Sequence, residues 1–195
     1  PDGTFGPESC ITRAEFATIA ARLEATSGAV MHGFTDISGH WAEEYIIEAK
    51  ERNIVNGDEN GKFNPDNAVT RAELTAMLMR IIDTDEYEYD GSFSDVKEND
   101  WFAPTVAKAL KMGVISKDFK FRPNDFVTRE EMCKMIVNIY TFLNGEIDFN
   151  VDLSFTDEES ISSWARVFVK KAVAAEIING IDERTFSPKS TATRA

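Results

Sequence analysis

The sequence predicts a mostly α-helical protein in which one helix–loop–helix unit recurs about three times along 195 residues. The first observation is an aromatic-x-Asp step, found three times, with a tryptophan five to seven residues after the aspartate. The second is a Phe-x-Pro step, found four times, with a threonine five residues beyond the proline. The third is the helical spacing of apolar residues behind both signals, which predicts two amphipathic helices in each unit.

The first helix of each unit is expected to begin near the tryptophan. The aromatic-x-Asp steps run from Phe34 to Asp36, from Phe93 to Asp95 and from Phe155 to Asp157, and the tryptophans are Trp41, Trp101 and Trp164. The apolar residues behind them recur at helical spacing and predict one buried face. They are Ile46, Ala49 and Ile54, then Val106, Ala109 and Val114, then Val169, Ala172 and Ile177.

A turn-rich loop joins the two helices of each unit and ends in the Phe-x-Pro step. These steps lie at Phe5/Pro7, Phe63/Pro65, Phe121/Pro123 and Phe186/Pro188. Asn-Gly steps at Asn56–Gly57 and Asn179–Gly180 favour tight turns. The loop before Phe121 is two residues shorter and carries Lys117 where the others have glycine.

The second helix of each unit is predicted to begin at a capping box. Thr-x-x-Glu pairs a threonine side chain with a glutamate three residues later, and each such cap contributes about 1 kcal/mol. The pairs are Thr12/Glu15, Thr70/Glu73 and Thr128/Glu131, within ITRAE, VTRAE and VTREE, and a fourth copy reads ATRA at the end of the sequence. Apolar stripes behind the boxes predict core-facing helices: Phe16, Ile19, Ala20 and Leu23; Leu74, Met77, Leu78 and Ile81; Met132, Met135, Ile136 and Ile139.

Composition excludes several classes of function. The net charge of -13 argues against nucleic acid as a partner, because phosphate binding needs a basic surface. No run of about 18 apolar residues occurs, so membrane insertion is not expected. The two cysteines, Cys10 and Cys133, have no metal-like spacing, and Cys133 is expected to be a buried free thiol although one disulfide is possible. We expect no cofactor and no metal.

The repeats divide the chain into four segments of one folded unit. Residues 1–33 hold the loop and second helix of one repeat, residues 34–92 and 93–154 are complete repeats, and residues 155–195 are a repeat cut after the TRA motif. Such units share a core with their neighbours, because one helix pair buries too little surface alone. The N-terminal half-repeat could therefore complete the C-terminal one and close a pseudo-threefold ring in a monomer.

The ordered pattern F-x-D, W, helix, G, F-x-P and T-R-A-E resembles the S-layer homology (SLH) family over nearly the whole chain. This resemblance implies a three-pronged spindle around a central three-helix bundle. It also implies a cell-wall module at the bacterial surface, which anchors a protein non-covalently to a secondary cell-wall polymer. The polysaccharide ligand in such proteins carries a pyruvylated terminal sugar, held in grooves between prongs with help from the TRAE arginines. By position these are Arg13, Arg71 and Arg129, with Arg194 as a further match.

The position of these arginines also points to an anionic partner. Each lies in the first turn of its helix, where a cation opposes the helix dipole by about 0.3–1 kcal/mol and an anion is favoured. An arginine can grip a carboxylate with two parallel hydrogen bonds. The alternative is a structural ion pair with a nearby Asp or Glu.

The other candidate ligand-binding residues each have a structural alternative. Trp41, Trp101 and Trp164 belong either to the hydrophobic core or to sugar-stacking surfaces. Asp36, Asp95 and Asp157 are either turn caps or direct ligands. Gly57 and Gly180 serve backbone geometry or allow a ligand to approach closely.

Two departures in the middle repeat are expected to weaken its groove. The short loop with Lys117 should alter or close the groove that it lines. In VTREE, Glu130 should weaken binding or occupy the neighbouring Arg129.

Three other functions are alternatives to anchoring. A calcium loop at Asp58–Gly61 lacks the alternating oxygen ligands and the distal glutamate. Hydrolysis of a glycan would need a pair of catalytic carboxylates, but no acid cluster recurs in the repeats. His32 and His40 are isolated, so no catalytic residue is assigned. A protein-interaction or self-assembly module of a surface layer, without direct glycan binding, stays as the alternative function.

Overall fold

The computed structural model describes residues 13, 14, 16–18, 33–82, 87–178, 180–182 and 184–191. This part of the chain is mostly helical and contains isolated β-bridges but no β-strand. Its helices are α1 (Glu43–Glu51), α2 (Arg71–Ile81), α3 (Ala103–Lys111), α4 (Arg129–Asn144) and α5 (Arg166–Ala174), with a 3₁₀ turn at Glu158–Ser160. Residues 13, 14 and 16–18 are also helical. The predicted class is therefore confirmed.

The first helices of the repeats, α1, α3 and α5, end in the same way. A residue in the left-handed region follows each helix, namely Asn53, Gly113 and Glu176 at φ 57°, 72° and 55°. The next N–H then donates back to the carbonyl of Ala49, Ala109 or Ala172 at 2.9 Å, which satisfies an otherwise unpaired helix carbonyl. The turn directs the following apolar residue inward, as at Ile54 and Val114, which are 1% exposed.

The second helices, α2 and α4, begin at the predicted capping boxes. Thr70 accepts the N–H of Glu73, whose side chain accepts the N–H of Thr70. Thr128 and Glu131 repeat the arrangement at α4. The apolar stripes of both helices are buried, as predicted. The Thr12/Glu15 box, Cys10, and the stripe residues beyond Phe16 in the N-terminal segment lie outside the described residues.

The helices of successive repeats share one core. Helix α2 packs against α3 of the next repeat, α4 packs against α5, and α2 also contacts α4. Phe16 of the N-terminal segment belongs to the same buried cluster. Buried Lys108 of α3 donates from Nζ to the carbonyl oxygens of Met79 and Ile82, at 3.2 and 2.8 Å, and so caps the end of α2. Each second helix is thus tied to the repeat that follows it.

Candidate functional site

The aspartate of each aromatic-x-Asp step closes the loop of its own repeat. The two oxygens of Asp36 accept the N–H groups of Phe63 and Asn64 at 2.8 and 2.7 Å. Asn64 lies at φ 55°, so the carboxylate holds a left-handed turn in place. The same pair of bonds recurs in the other repeats, from Phe121 and Arg122 to Asp95 and from Phe186 and Ser187 to Asp157. The turn-cap interpretation of these aspartates is confirmed.

The arginines of the first three TRA motifs reach into the loop of the next repeat. Arg71 donates from Nε to the carbonyl oxygen of Phe121 at 2.8 Å and from Nη1 to Glu131 at 2.6 Å. Its guanidinium also lies over the Phe121 ring, 5.3 Å from the centroid. Arg13 makes the equivalent bonds to Phe63 and Glu73, at 2.6 and 2.7 Å. Both arginines therefore hold adjacent repeats together, whatever else they bind.

Arg129 follows the same pattern in a more enclosed setting. Its Nε donates to the carbonyl oxygen of Phe186 at 2.8 Å, and the guanidinium lies 5.0 Å from the centroid of that ring. The side chain is 1% exposed, and this burial lowers the pKa of Arg129 from its usual value. Arg194 lies outside the described residues.

Groove 1 is a cavity of about 350 Å³ formed where three repeats meet. Arg13 comes from the N-terminal half-repeat, the loop and α2 come from the next repeat, and Trp101 comes from the one after that. Its polar lining is mainly amide: Asn56, Asn64 and Asn67. Its charged residues balance, since Arg13 and Arg80 are matched by Asp58 and Glu73.

Groove 2 is the corresponding cavity one repeat further along, with a volume of about 270 Å³. Arg71, the loop that ends at Phe121, α4 and Trp164 take the equivalent places. Of the two expected outcomes for the short loop, alteration and closure, the structure shows alteration, because the groove is open. The loop alters its charge: five cations line it against two carboxylates, namely Arg71, Lys117, Lys120, Arg122 and Lys134 against Asp118 and Glu131.

The interpretation of the tryptophans as hydrophobic core is wrong. Trp41, Trp101 and Trp164 are 36%, 61% and 45% exposed. Each lies in the turn that precedes a first helix. Trp101 lines groove 1 and Trp164 lines groove 2, whereas Trp41 lines neither of these grooves.

The loop glycines Gly57 and Gly180 are required by the packing around them. A Cβ at Gly57 would lie 2.6 Å from Cε1 of Phe34 and 2.7 Å from the carbonyl oxygen of Lys62. A Cβ at Gly180 would meet Phe155 at 2.8 Å and the Asp182 carbonyl oxygen at 2.3 Å. The ring of the aromatic-x-Asp step therefore packs against bare backbone. Gly57 also lines groove 1.

Glu130 contacts the next repeat, and its expected effect on binding stays a prediction. It is 4% exposed and accepts hydrogen bonds from the N–H and the hydroxyl of Ser162, at 3.0 and 2.9 Å. Lys189 Nζ lies 2.6 Å from its Oε1. The side chain thus joins α4 to the next repeat.

Asp58, where the rival calcium loop would begin, closes its own turn. It accepts the N–H groups of Asn60 and Lys62 and the side-chain amide of Asn64, at 2.9, 2.9 and 3.1 Å. These bonds, led by that from Lys62, lower the pKa of Asp58 from its usual value. Among the residues that the structure describes, no group of three or more metal-ligating side chains is present.

The repeat pattern matches a known family. The S-layer homology domain pattern matches residues 1–17, 33–75, 92–133 and 154–195. The chain therefore belongs to the S-layer homology domain family. This membership and the surface-layer proteins among its relatives identify it as a bacterial cell-surface module. In the described ranges, no helix is both long and apolar enough to cross a membrane.

Similar proteins include enzymes, surface-layer proteins and an anchoring protein. Exoglucanase XynX of Acetivibrio thermocellus is 42% identical over 164 residues, covering 83% of this chain and 15% of that protein. The Surface-layer 125 kDa protein of Lysinibacillus sphaericus is 29% identical over 180 residues, covering 90% and 15%. The Cellulosome-anchoring protein of Acetivibrio thermocellus is 33% identical over 133 residues, covering 64% and 28%. The chain spans less than a third of each of these proteins.

Proposed function

We propose that this chain anchors a surface protein non-covalently to a bacterial cell-wall polysaccharide and is not itself catalytic. Its family and the names of its anchoring and surface-layer relatives support the anchoring role. The enzyme-named relatives share with it only a small part of their length, which fits an anchor joined to a separate catalytic domain. The ligand group in this proposal is an anionic terminal sugar, such as a pyruvylated one.

The excess of cations in groove 2 is the observation that carries the ligand assignment. The protein as a whole is strongly acidic, at a formal charge of -13, so a cationic groove is a local exception. At physiological salt, charges separated by more than about 8–10 Å are largely screened from each other. The electric field inside a groove is therefore set mainly by the charges that line it. An acidic sugar can therefore be attracted into groove 2 although the whole molecule repels anions.

Arg71 is placed to contact such a ligand directly. Its Nε and Nη1 are used within the protein, but Nη2 has no hydrogen-bond partner among the described residues. In groove 1 the equivalent Nη2 of Arg13 already donates to the carbonyl oxygen of Asn56 at 2.6 Å. Arg129 is enclosed, so this proposal gives it no ligand contact in this conformation. We therefore propose groove 2, ahead of groove 1, as the binding site for the anionic sugar.

Trp164 supplies the apolar side of the proposed site. Sugar rings present C–H faces that pack on exposed aromatic rings, and the half-exposed indole lines groove 2 together with the cations. Trp101 could serve a sugar in groove 1 in the same way. The aspartates at 36, 95 and 157 and the glycines at 57 and 180 then act indirectly, by shaping the loops.

The whole-molecule arrangement in this proposal is a three-pronged spindle. The contact between α2 and α4 supports a central bundle made of second helices. The burial of Phe16 in the shared core supports a third member supplied by the N-terminal segment. Three prongs around one bundle would make the chain a monomer with pseudo-threefold symmetry.

Binding to purified cell-wall polymer, measured by calorimetry before and after chemical removal of pyruvate, tests the proposal. The double variant Lys117→Ala/Lys120→Ala should weaken binding about tenfold, since each exposed charge contact contributes up to about 1 kcal/mol. Lys62→Ala is the matched control, because Lys62 precedes Phe63 as Lys120 precedes Phe121 but does not line groove 1.

Three results would contradict the assignment. Equal losses in Lys62→Ala and in the double variant would remove groove 2 as the site. Unchanged affinity after depyruvylation would remove the acidic sugar as the ligand. Absence of polymer binding by the unmodified protein would favour a self-assembly module instead.

A further inference from the structure

The turns that carry the three tryptophans are held in different ways. In the repeat with Trp101, Asp100 caps its own turn by accepting the N–H of Lys97 at 2.8 Å. In the repeat with Trp41, the Nδ1 atom of His40 accepts the N–H of Ala42 at 3.1 Å. Both turns are therefore fixed by a polar side chain directly before the tryptophan.

The turn that carries Trp164 has only serines at this point. Residues 162 and 163 are Ser-Ser, and among the described residues no backbone N–H donates to either hydroxyl. Glu130, from the start of α4 in the preceding repeat, takes the place of the local cap. It accepts both the N–H and the hydroxyl of Ser162, at 3.0 and 2.9 Å.

The burial of Glu130 indicates that this contact is specific. A carboxylate that is 4% exposed is costly unless it is fully hydrogen-bonded or paired. Ser162 and Lys189 meet that requirement, and Lys189 also contacts the Ser162 hydroxyl. The corresponding positions in the TRA motifs of the other repeats are alanines, Ala14 and Ala72. The glutamate thus occurs where the facing turn lacks a cap of its own.

A short hydrogen-bonded path leads from Glu130 to groove 2. The carbonyl oxygen of Ser162 accepts the N–H groups of Ala165 and Arg166 at 2.9 and 3.1 Å, which closes the turn around Trp164. Trp164 is about half exposed, so packing alone constrains its ring less than that of a core residue. The backbone anchor therefore has a large share in deciding where the indole lies at the groove.

We propose that Glu130 is a positioning residue that holds Trp164 at groove 2 across the boundary between two repeats. The VTREE sequence then compensates for the Ser-Ser turn of the next repeat rather than weakening the groove. The effect on the indole is independent of any ligand. Its consequence for affinity rests on the function proposed above.

The decisive experiment measures the mobility of Trp164 without ligand. In a Trp41→Phe/Trp101→Phe background, Trp164 is the sole tryptophan, and its time-resolved fluorescence anisotropy reports local motion. Glu130→Ala should increase the amplitude of fast motion at least twofold, at a temperature where circular dichroism shows the protein folded. Glu130→Gln, which can still accept the Ser162 N–H, should restore most of the order.

A matched background separates positioning from general loosening. In Trp41→Phe/Trp164→Phe, the sole tryptophan is Trp101, and Glu130→Ala should leave its anisotropy unchanged. Equal effects on both tryptophans, or none on Trp164, would overturn the inference. If Glu130→Ala does not fold, Glu130→Asp keeps the charge but shortens the side chain by one methylene, so it cannot hold the N–H and the hydroxyl of Ser162 as glutamate does. An unchanged Trp164 anisotropy in that variant would also overturn the inference.

Polymer binding adds a second readout. Glu130→Ala should weaken binding in the same range as Trp164→Ala, and the double variant should be no weaker than Trp164→Ala alone, because both act through one ring. Additive losses would mean that Glu130 acts by another route and would contradict the inference. If the unmodified protein binds no polymer, the proposed function fails, and the anisotropy comparison alone decides the role of Glu130.

Discussion

Arg71 and Glu131 form an ion pair of 2.6 Å between two repeats, 60 residues apart in sequence. Glu131 is at the same time the capping-box glutamate of α4, where its other oxygen accepts the N–H of Thr128 at 3.1 Å. One carboxylate therefore begins a helix and fastens the preceding repeat to it. Arg13 and Glu73 repeat the relationship at 2.7 Å. The TRAE motif is thus a linking device as well as a helix start.

Replacement of Arg71 by glutamine should destabilise the protein by about 3 kcal/mol in urea unfolding. The arginine and glutamate side chains are 12% and 21% exposed, and removing one partner leaves the other charge poorly compensated. Arg122→Gln is the matched control, because Arg122 reaches the same glutamate at 3.4 Å from a side chain that is 48% exposed. The Arg122→Gln substitution should lower the free energy of unfolding by less than about 1 kcal/mol. Equal losses of unfolding free energy in the two variants would show that the Arg71–Glu131 pair stabilises the protein no more than the exposed Arg122–Glu131 pair.

Gly57→Ala should destabilise the first complete repeat by about 1–3 kcal/mol, because the new methyl group overlaps the Phe34 ring and the Lys62 carbonyl. Gly33→Ala provides the control, since a Cβ there meets only Lys50 at ordinary contact distances of 3.7 and 3.8 Å. Thermal unfolding compares the two variants. A Gly57→Ala protein as stable as Gly33→Ala would mean that the loop can move away from the ring.

The helices were predictable because their signals are local in sequence. A capping threonine, its glutamate and the first apolar residues lie within one or two helical turns. Thr70 and Glu73 therefore predict the start of α2 directly. The aspartate caps were open to either interpretation, because Asp95 and its partner Phe121 are separated by 26 residues. Local patterns cannot show contacts of that kind.

The grooves were predicted less well, because each is assembled from three repeats. The cations of groove 2 come from the short loop, from α4 and from the preceding repeat, and no single stretch of sequence displays them together. At Lys117 the sequence displays only the missing glycine. At Glu130 it displays the neighbour Arg129 but not the contacts to Ser162 and Lys189, which lie 32 and 59 residues away.

Cys133 should be unreactive in the folded protein. It is fully buried, and burial raises the pKa of its thiol to about 12. In a Cys10→Ser variant at pH 8, an aromatic disulfide reagent should therefore react only as fast as the protein opens, and urea should accelerate the reaction strongly. Rapid modification without denaturant would contradict the burial.

The same thiol should contribute to the pH dependence of stability. Well below pH 9, its ordinary pKa, Cys133 is protonated in both the folded and the unfolded state. Between pH 9 and about pH 12 the unfolded chain releases a proton that the folded protein keeps, so the free energy of unfolding falls as pH rises. Comparison with Cys133→Ala by urea unfolding isolates this contribution. An identical slope in the two proteins over this range would contradict it.

Removal of residues 1–28 should destabilise both ends of the chain if the repeats close into a ring. Arg13 bonds to Asn56, Phe63 and Glu73, so the adjoining loop must lose protection against hydrogen exchange. If the repeats close into a ring, α5 in the C-terminal repeat should lose protection against hydrogen exchange as well. Arg13→Ala in the intact chain is the control, because it breaks only the contacts to the first complete repeat. If the deletion exposes α5 no more than Arg13→Ala does, then the N-terminal half-repeat does not complete the C-terminal one, and the repeats form an open array.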